Sequence, residues 1–103
     1  DSVMDFKFVE QENVILVISC KSFVRSGNID SKYCDQMKPF IKRIWLFAEC
    51  CGPKSASSIQ LKAKSYGYNN FWHLYTWNKR IDQYKENEEG WIDFIQEIKK
   101  LKP

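Results

Sequence analysis

Lys21 ends an apolar run from Val14 to Cys20 and stands two residues after Ser19, a spacing that sends both side chains off one face of an extended strand. Upstream, Asp5 sits in a second strand-like segment, and a polar turn, Glu10 to Asn13, separates the two. If that turn centres near Glu12, the segments pair as a hairpin and Asp5 falls opposite Ser19. Asp35 follows fourteen residues after the lysine, in what reads as the first turns of a helix. Two carboxylates and an ammonium gathered at one strand end suit metal-dependent phosphodiester hydrolysis. Hard carboxylate oxygens hold a divalent cation, the cation activates water, and the lysine charge meets the phosphate. The same spacing also suits a buried strand that merely ends in a solvated lysine. An acid at a helix start is, likewise, favoured by the helix dipole alone.

Glu10 and Glu12 belong to the turn, on the far side of the hairpin from Lys21, and read as solvated. Glu49 ends a later strand and could face the same site. Arg25, Lys32 and Lys38 follow the strand end and, with Lys42 and Arg43, could contact phosphates through charge rather than base identity. A generic charged helix face accounts for them equally. His73 lies mid-strand and reads as structural. Trp45, Phe47, Phe71, Trp72 and Trp77 alternate within strands and read as core rather than as base-stacking platforms.

Positioning these side chains takes elements in the order β-β-α-β-α-β-α. Strands are expected over Val3–Val9, Val14–Cys20, Ile44–Ala48 and Phe71–Thr76. The β-branched run Val14–Cys20 is of the kind buried on both faces. Ser26-Gly27-Asn28 marks a turn. Asp30 or Ser31 caps a helix running toward Lys38, and Pro39 stops it. Gly52-Pro53 opens a second helix, which carries Ala56, Ile59, Leu61 and Ala63 and which Gly67 closes. Asn78 to Glu89 is polar and reads as a solvated loop. Trp91, Ile92, Phe94, Ile95, Ile98 and Leu101 recur at helical spacing, so 90–103 is an amphipathic helix. Strands alternating with helices after the hairpin imply right-handed crossovers. The fold class is α/β, a mixed β-sheet flanked by helices.

With 103 residues, 44% of them hydrophobic and 16% aromatic, the sequence suits a single domain over 1–103 with a real core, and global disorder is excluded. Sixteen Lys and Arg against 13 Asp and Glu leave a charge of +3, mildly favourable to a phosphate partner. No apolar run nears the ~20 residues that span a bilayer, so no membrane partner is expected. The four cysteines, Cys20, Cys34, Cys50 and Cys51, contain no Cys-x-x-Cys pair, and His73 is the only histidine, which argues against zinc. Free thiols and the lack of a basic-then-apolar leader point to the cytoplasm. Opening on Asp1, the chain is expected to be a fragment or a processed product.

Asp5-Phe6 and the run Val-Ile-Leu-Val-Ile-Ser-Cys-Lys-Ser resemble the core of the PD-(D/E)XK, or restriction-endonuclease-like, nucleases. There an Asp starts one strand and an acid-x-Lys ends its hairpin partner. The resemblance covers about residues 1–77; Met4 replaces the usual Pro, and Ser19 stands where the family carries Glu or Asp. Some restriction enzymes of this superfamily have Ser-x-Lys and supply the second acid fourteen residues later, the position of Asp35. The resemblance implies an Mg²⁺-dependent endonuclease of restriction or repair type acting on DNA, with Mn²⁺ able to substitute. Products would carry a 5′-phosphate and a 3′-hydroxyl. It implies Asp5, Asp35 and the Cys20 carbonyl as metal ligands, Lys21 as the group that orients or activates water, and Ser19 as a hydrogen-bond partner of a metal-bound water. Arg25, Lys32 and Lys38 would contact the nucleic acid. The family's usual first helix and strand have no counterpart, so a longer chain, a further domain or a homodimer is expected to complete the sheet. The alternative is a catalytically inactive nuclease-fold domain that binds nucleic acid or protein.

Overall fold

The computed structural model describes residues 14–101. Asp5, Glu10 and Glu12, and with them the first strand of the expected hairpin, lie outside the described residues. β1 (Val17–Val24) starts inside the apolar run and carries on past Lys21. A short 3-10 turn, Ser26–Asn28, leads to α1 (Lys32–Met37), which ends just before Pro39. β2 (Ile44–Cys51), α2 (Ala56–Tyr66), β3 (Asn70–Asn78), β4 (Gln83–Glu86) and α3 (Glu88–Lys100) follow. The sheet order is β1-β2-β3-β4. The first two pairings are parallel and the last is antiparallel, a mixed sheet flanked by helices. Parallel neighbours cannot be joined by a tight turn, and α1 and α2 supply the crossovers.

β2 is the strand that this architecture buries. Ile44, Leu46 and Ala48 join Cys34, Ile59, Ala63 and Phe71 in the main cluster, while Trp45 packs with Phe94 of α3 at 5.8 Å between ring centroids. Phe47 and Trp72 meet the same Phe94 ring at 5.0 and 5.8 Å. One helix layer per face explains why Ile-Trp-Leu-Phe-Ala is apolar throughout rather than alternating. The run Val14–Cys20 differs from its expectation. Its residues are half-buried or exposed, because β1 has a neighbour on one side only among the described residues.

Asn78–Glu89 also differs. It turns sharply at 79–82, forms β4 against Tyr75–Asn78, and starts α3. Asn87 caps that helix by accepting from Gly90 N–H at 3.2 Å and anchors it by donating from Nδ2 to the His73 carbonyl at 2.9 Å. A side chain at Gly90 would collide with Asn87, so the cap requires glycine there. Glu88 and Glu89 then favour the positive end of α3 and Lys99 and Lys100 its negative end.

Gly67 closes α2 as expected, with φ +111°, its N–H reaching the carbonyls of Ala63 and Lys64. Pro53 falls in the turn before α2 rather than within it. Asn69 fixes the entry to the sheet. Its side-chain oxygen accepts from Ile44 N–H at 2.7 Å while its own N–H donates to the Ile44 carbonyl at 2.7 Å. β2 and β3 therefore start in a defined register.

Candidate functional site

Ser19 and Lys21 leave β1 on one face, at register positions opposite Leu46 and Ala48 of β2, and both are half-buried. Cys20, between them, exposes its thiol. Tyr68, a buried residue just past the end of α2, has Ser19 and Cys34 near its phenol. Burial pushes the Tyr68 hydroxyl above its ordinary value, and the neighbouring Ser19 hydroxyl works the other way. Burial also raises the Cys34 thiol, against the nearby Lys38 charge and the Tyr68 hydroxyl. β1 thus meets the chain that follows α2 at Ser19 and Tyr68. Tyr68 is the site residue that sequence reasoning missed. The available signal was an aromatic directly after a helix-closing glycine.

Asp35 lies exposed in the first turn of α1. Among the described residues the one ion pair is Lys100–Glu97 at 2.9 Å, so Lys21 and Asp35 do not pair. Nor do three His, Cys, Asp or Glu side chains converge where a metal ion could sit, again among the described residues. The described residues do not by themselves form a metal centre. The expected ligand set needs Asp5, which lies outside them. Glu49 is exposed and follows Ala48, the register partner of Lys21, so strand alternation turns it to the other face.

The basic candidates separate. Arg25 holds its guanidinium 5.9 Å from the centroid of the Phe23 ring and is exposed. Lys32 is exposed on α1, its backbone N–H bonded to Asp30 Oδ1 at 3.0 Å. Lys38 folds back over Gly67 at the C-terminus of α2, where the helix dipole favours a cation.

The aromatic expectations divide as well. Trp45, Phe47, Phe71 and Trp72 pack beneath the helices, but Trp77 does not. It meets Phe23 of β1 edge-on at 6.1 Å and stacks on Tyr84 of β4 at 6.2 Å, and Tyr84 touches Tyr75 at 5.2 Å. Trp77 leaves the core because β3 and β4 extend as a hairpin. His73 packs within the fold. It stacks on Phe71 at 5.7 Å and approaches Asn87 Nδ2 at 3.5 Å, and burial lowers its pKa.

No helix among the described residues is long and apolar enough to cross a membrane. Protein-family models, curated proteins and solved structures give no match to this chain.

Proposed function

We propose that the chain is a nuclease-fold domain that hydrolyses DNA phosphodiester bonds with the help of a divalent metal. One observation carries the reading: Lys21 and Ser19 share a face of β1, the first of three parallel strands, and α1 with Asp35 follows directly. In open α/β sheets, substrates collect at the carboxyl ends of parallel strands, and Lys21 stands in that half of β1. Asp5 and Asp35, with the Cys20 carbonyl, would hold Mg²⁺ or Mn²⁺, which supplies charge neutralisation at the scissile phosphate. The Lys21 ammonium would orient the attacking water and meet the charge that develops on the phosphoryl oxygens. Arg25 and Lys32 would take neighbouring phosphates, with Lys38 nearer the fold than the substrate. A two-fold dimer is the usual way to cut both strands, and the free thiols suit the reducing cytoplasm.

A second reading, a nuclease fold that binds without cutting, is favoured by Ser19. Its hydroxyl lies beside Tyr68 and stands where the family carries an acid. Metal binding separates the two. Titration calorimetry with Mn²⁺ is expected to give saturable binding that Asp35→Asn abolishes while the circular dichroism spectrum stays that of the parent. Absence of binding by the parent would remove the catalytic reading and leave the second.

A further inference from the structure

We infer that the aromatic cluster of Phe23, Tyr75, Trp77 and Tyr84 is a stacking platform for the unpaired bases of a single-stranded nucleic acid. The four rings come from three strands and are brought together by register. Phe23 aligns with Cys50 and Cys50 with Tyr75, while Trp77 aligns with Tyr84 across the hairpin. Trp77 and Tyr84 lie nearly parallel, 21° apart, and the rings of Phe23 and Tyr75 stand edge-on to them. The cluster therefore crosses the sheet from β1 to β4 as one surface.

None of the four rings belongs to the buried core. Tyr84 is 63% exposed, and Phe23, Tyr75 and Trp77 are half-buried in contact with one another and with Tyr84. Aromatic surface left open outside a core marks an interaction site. The surface is also held in place. Trp77 Nε1 donates to Asp82 Oδ1 at 2.9 Å, and Asp82 adopts φ +49° within the turn that makes the hairpin. The indole is thereby fixed before any ligand arrives, which lowers the ordering cost of binding.

Charge decides the partner. Arg25 stands over Phe23, and Lys79 and Arg80 are exposed in the hairpin turn next to Trp77. Lys21 lies two residues before Phe23, on the same face of β1 by strand alternation. Cations thus rim the rings at both ends. The acids near this surface are Asp82, whose oxygen is taken by the indole, Glu86, opposite Tyr75, and the exposed Glu49, whose charge reaches the Tyr75 hydroxyl. Aromatic rings with flanking Arg and Lys fit a strand whose bases stack while its phosphates meet the cations. In a duplex the base faces are hidden in the stack, so the platform selects unpaired strands. The inference needs no metal and stands whether or not the chain cuts.

The test is fluorescence anisotropy of a labelled oligothymidylate of about 12 nucleotides, within the span such surfaces cover. It is run in EDTA, against a duplex of equal length, with tryptophan emission followed in parallel. The single strand should bind more tightly than the duplex and quench tryptophan emission. Trp77→Ala and Tyr84→Ser should each weaken binding roughly tenfold. Arg25→Gln should weaken it and flatten its salt dependence. Tyr84 is exposed enough for its replacement to leave the fold intact, and equal melting temperatures check this. No binding by the parent, or unchanged affinity in folded Tyr84→Ser, overturns the inference. So does self-association of the parent that Tyr84→Ser abolishes without any oligonucleotide binding, since the surface would then be a protein interface.

Discussion

Lys38 lies over Gly67 so closely that a Cβ at the glycine would stand 2.6 Å from Lys38 Cε, 2.8 Å from its Nζ and 3.1 Å from Cys34 Cβ. The contact joins the end of α1 to the end of α2 and places a cation at the negative pole of α2. Two separate terms exclude a side chain at Gly67, crowding and a φ of +111°. Gly67→Ala should therefore cost about 1–3 kcal/mol in urea unfolding. Adding Lys38→Ala should recover only the part due to crowding against the lysine. A Gly67→Ala protein as stable as the parent would contradict this account of the α1–α2 junction.

The thiols should divide one against three. Cys20 is exposed, whereas Cys34, Cys50 and Cys51 are buried, and burial pushes the Cys51 thiol up to about 11. Only thiolates react with disulfide reagents at useful rates. At pH 8 the native chain should release one equivalent of chromophore quickly and the other three only in denaturant. Rapid reaction of more than one thiol in the folded protein would contradict the packing of β2 and α1.

Acid should weaken the fold through His73. Burial holds its folded-state pKa below the usual 6.5, so the unfolded chain takes up the proton first. The stabilisation is complete above about 6.5, the unfolded value, and is lost as pH falls from there through the lower folded value. Urea midpoints should drop between pH 7 and pH 5 in the parent and drop less in His73→Gln. Equal drops in both would show that the titrating group lies elsewhere.

Much of this fold is legible because the residues that make it act locally. The β-branched run before Lys21 is a strand by composition, Gly67 closes α2 because it can adopt positive φ, and Phe94 falls on the apolar stripe of α3. β4 was not legible. Gln83–Glu86 are exposed throughout, held by the ladder with Tyr75–Asn78 rather than by a buried face, so hydrophobic periodicity carries no trace of them. The reading of Trp77 as core failed for the same reason, since the hairpin carries it beyond the helices. At the site, strand alternation alone puts Ser19 and Lys21 on one face. The approach of Ser19 to Tyr68 could not be read, because it brings together residues far apart in sequence, one on β1 and one just past α2. That Asp35 and Lys21 form no ion pair is likewise a tertiary outcome that a spacing of fourteen residues does not determine.

Metal-dependent cutting is to be measured on supercoiled plasmid DNA, using the parent, Lys21→Ala and Asp35→Ala at equal purity with Mg²⁺ or Mn²⁺ and with EDTA. The parent should nick or linearise the plasmid, EDTA should abolish this, and each substitution should lower it by about a hundredfold or more. An inert parent with both metals, or a Lys21→Ala protein that cuts as fast as the parent, would contradict the nuclease reading.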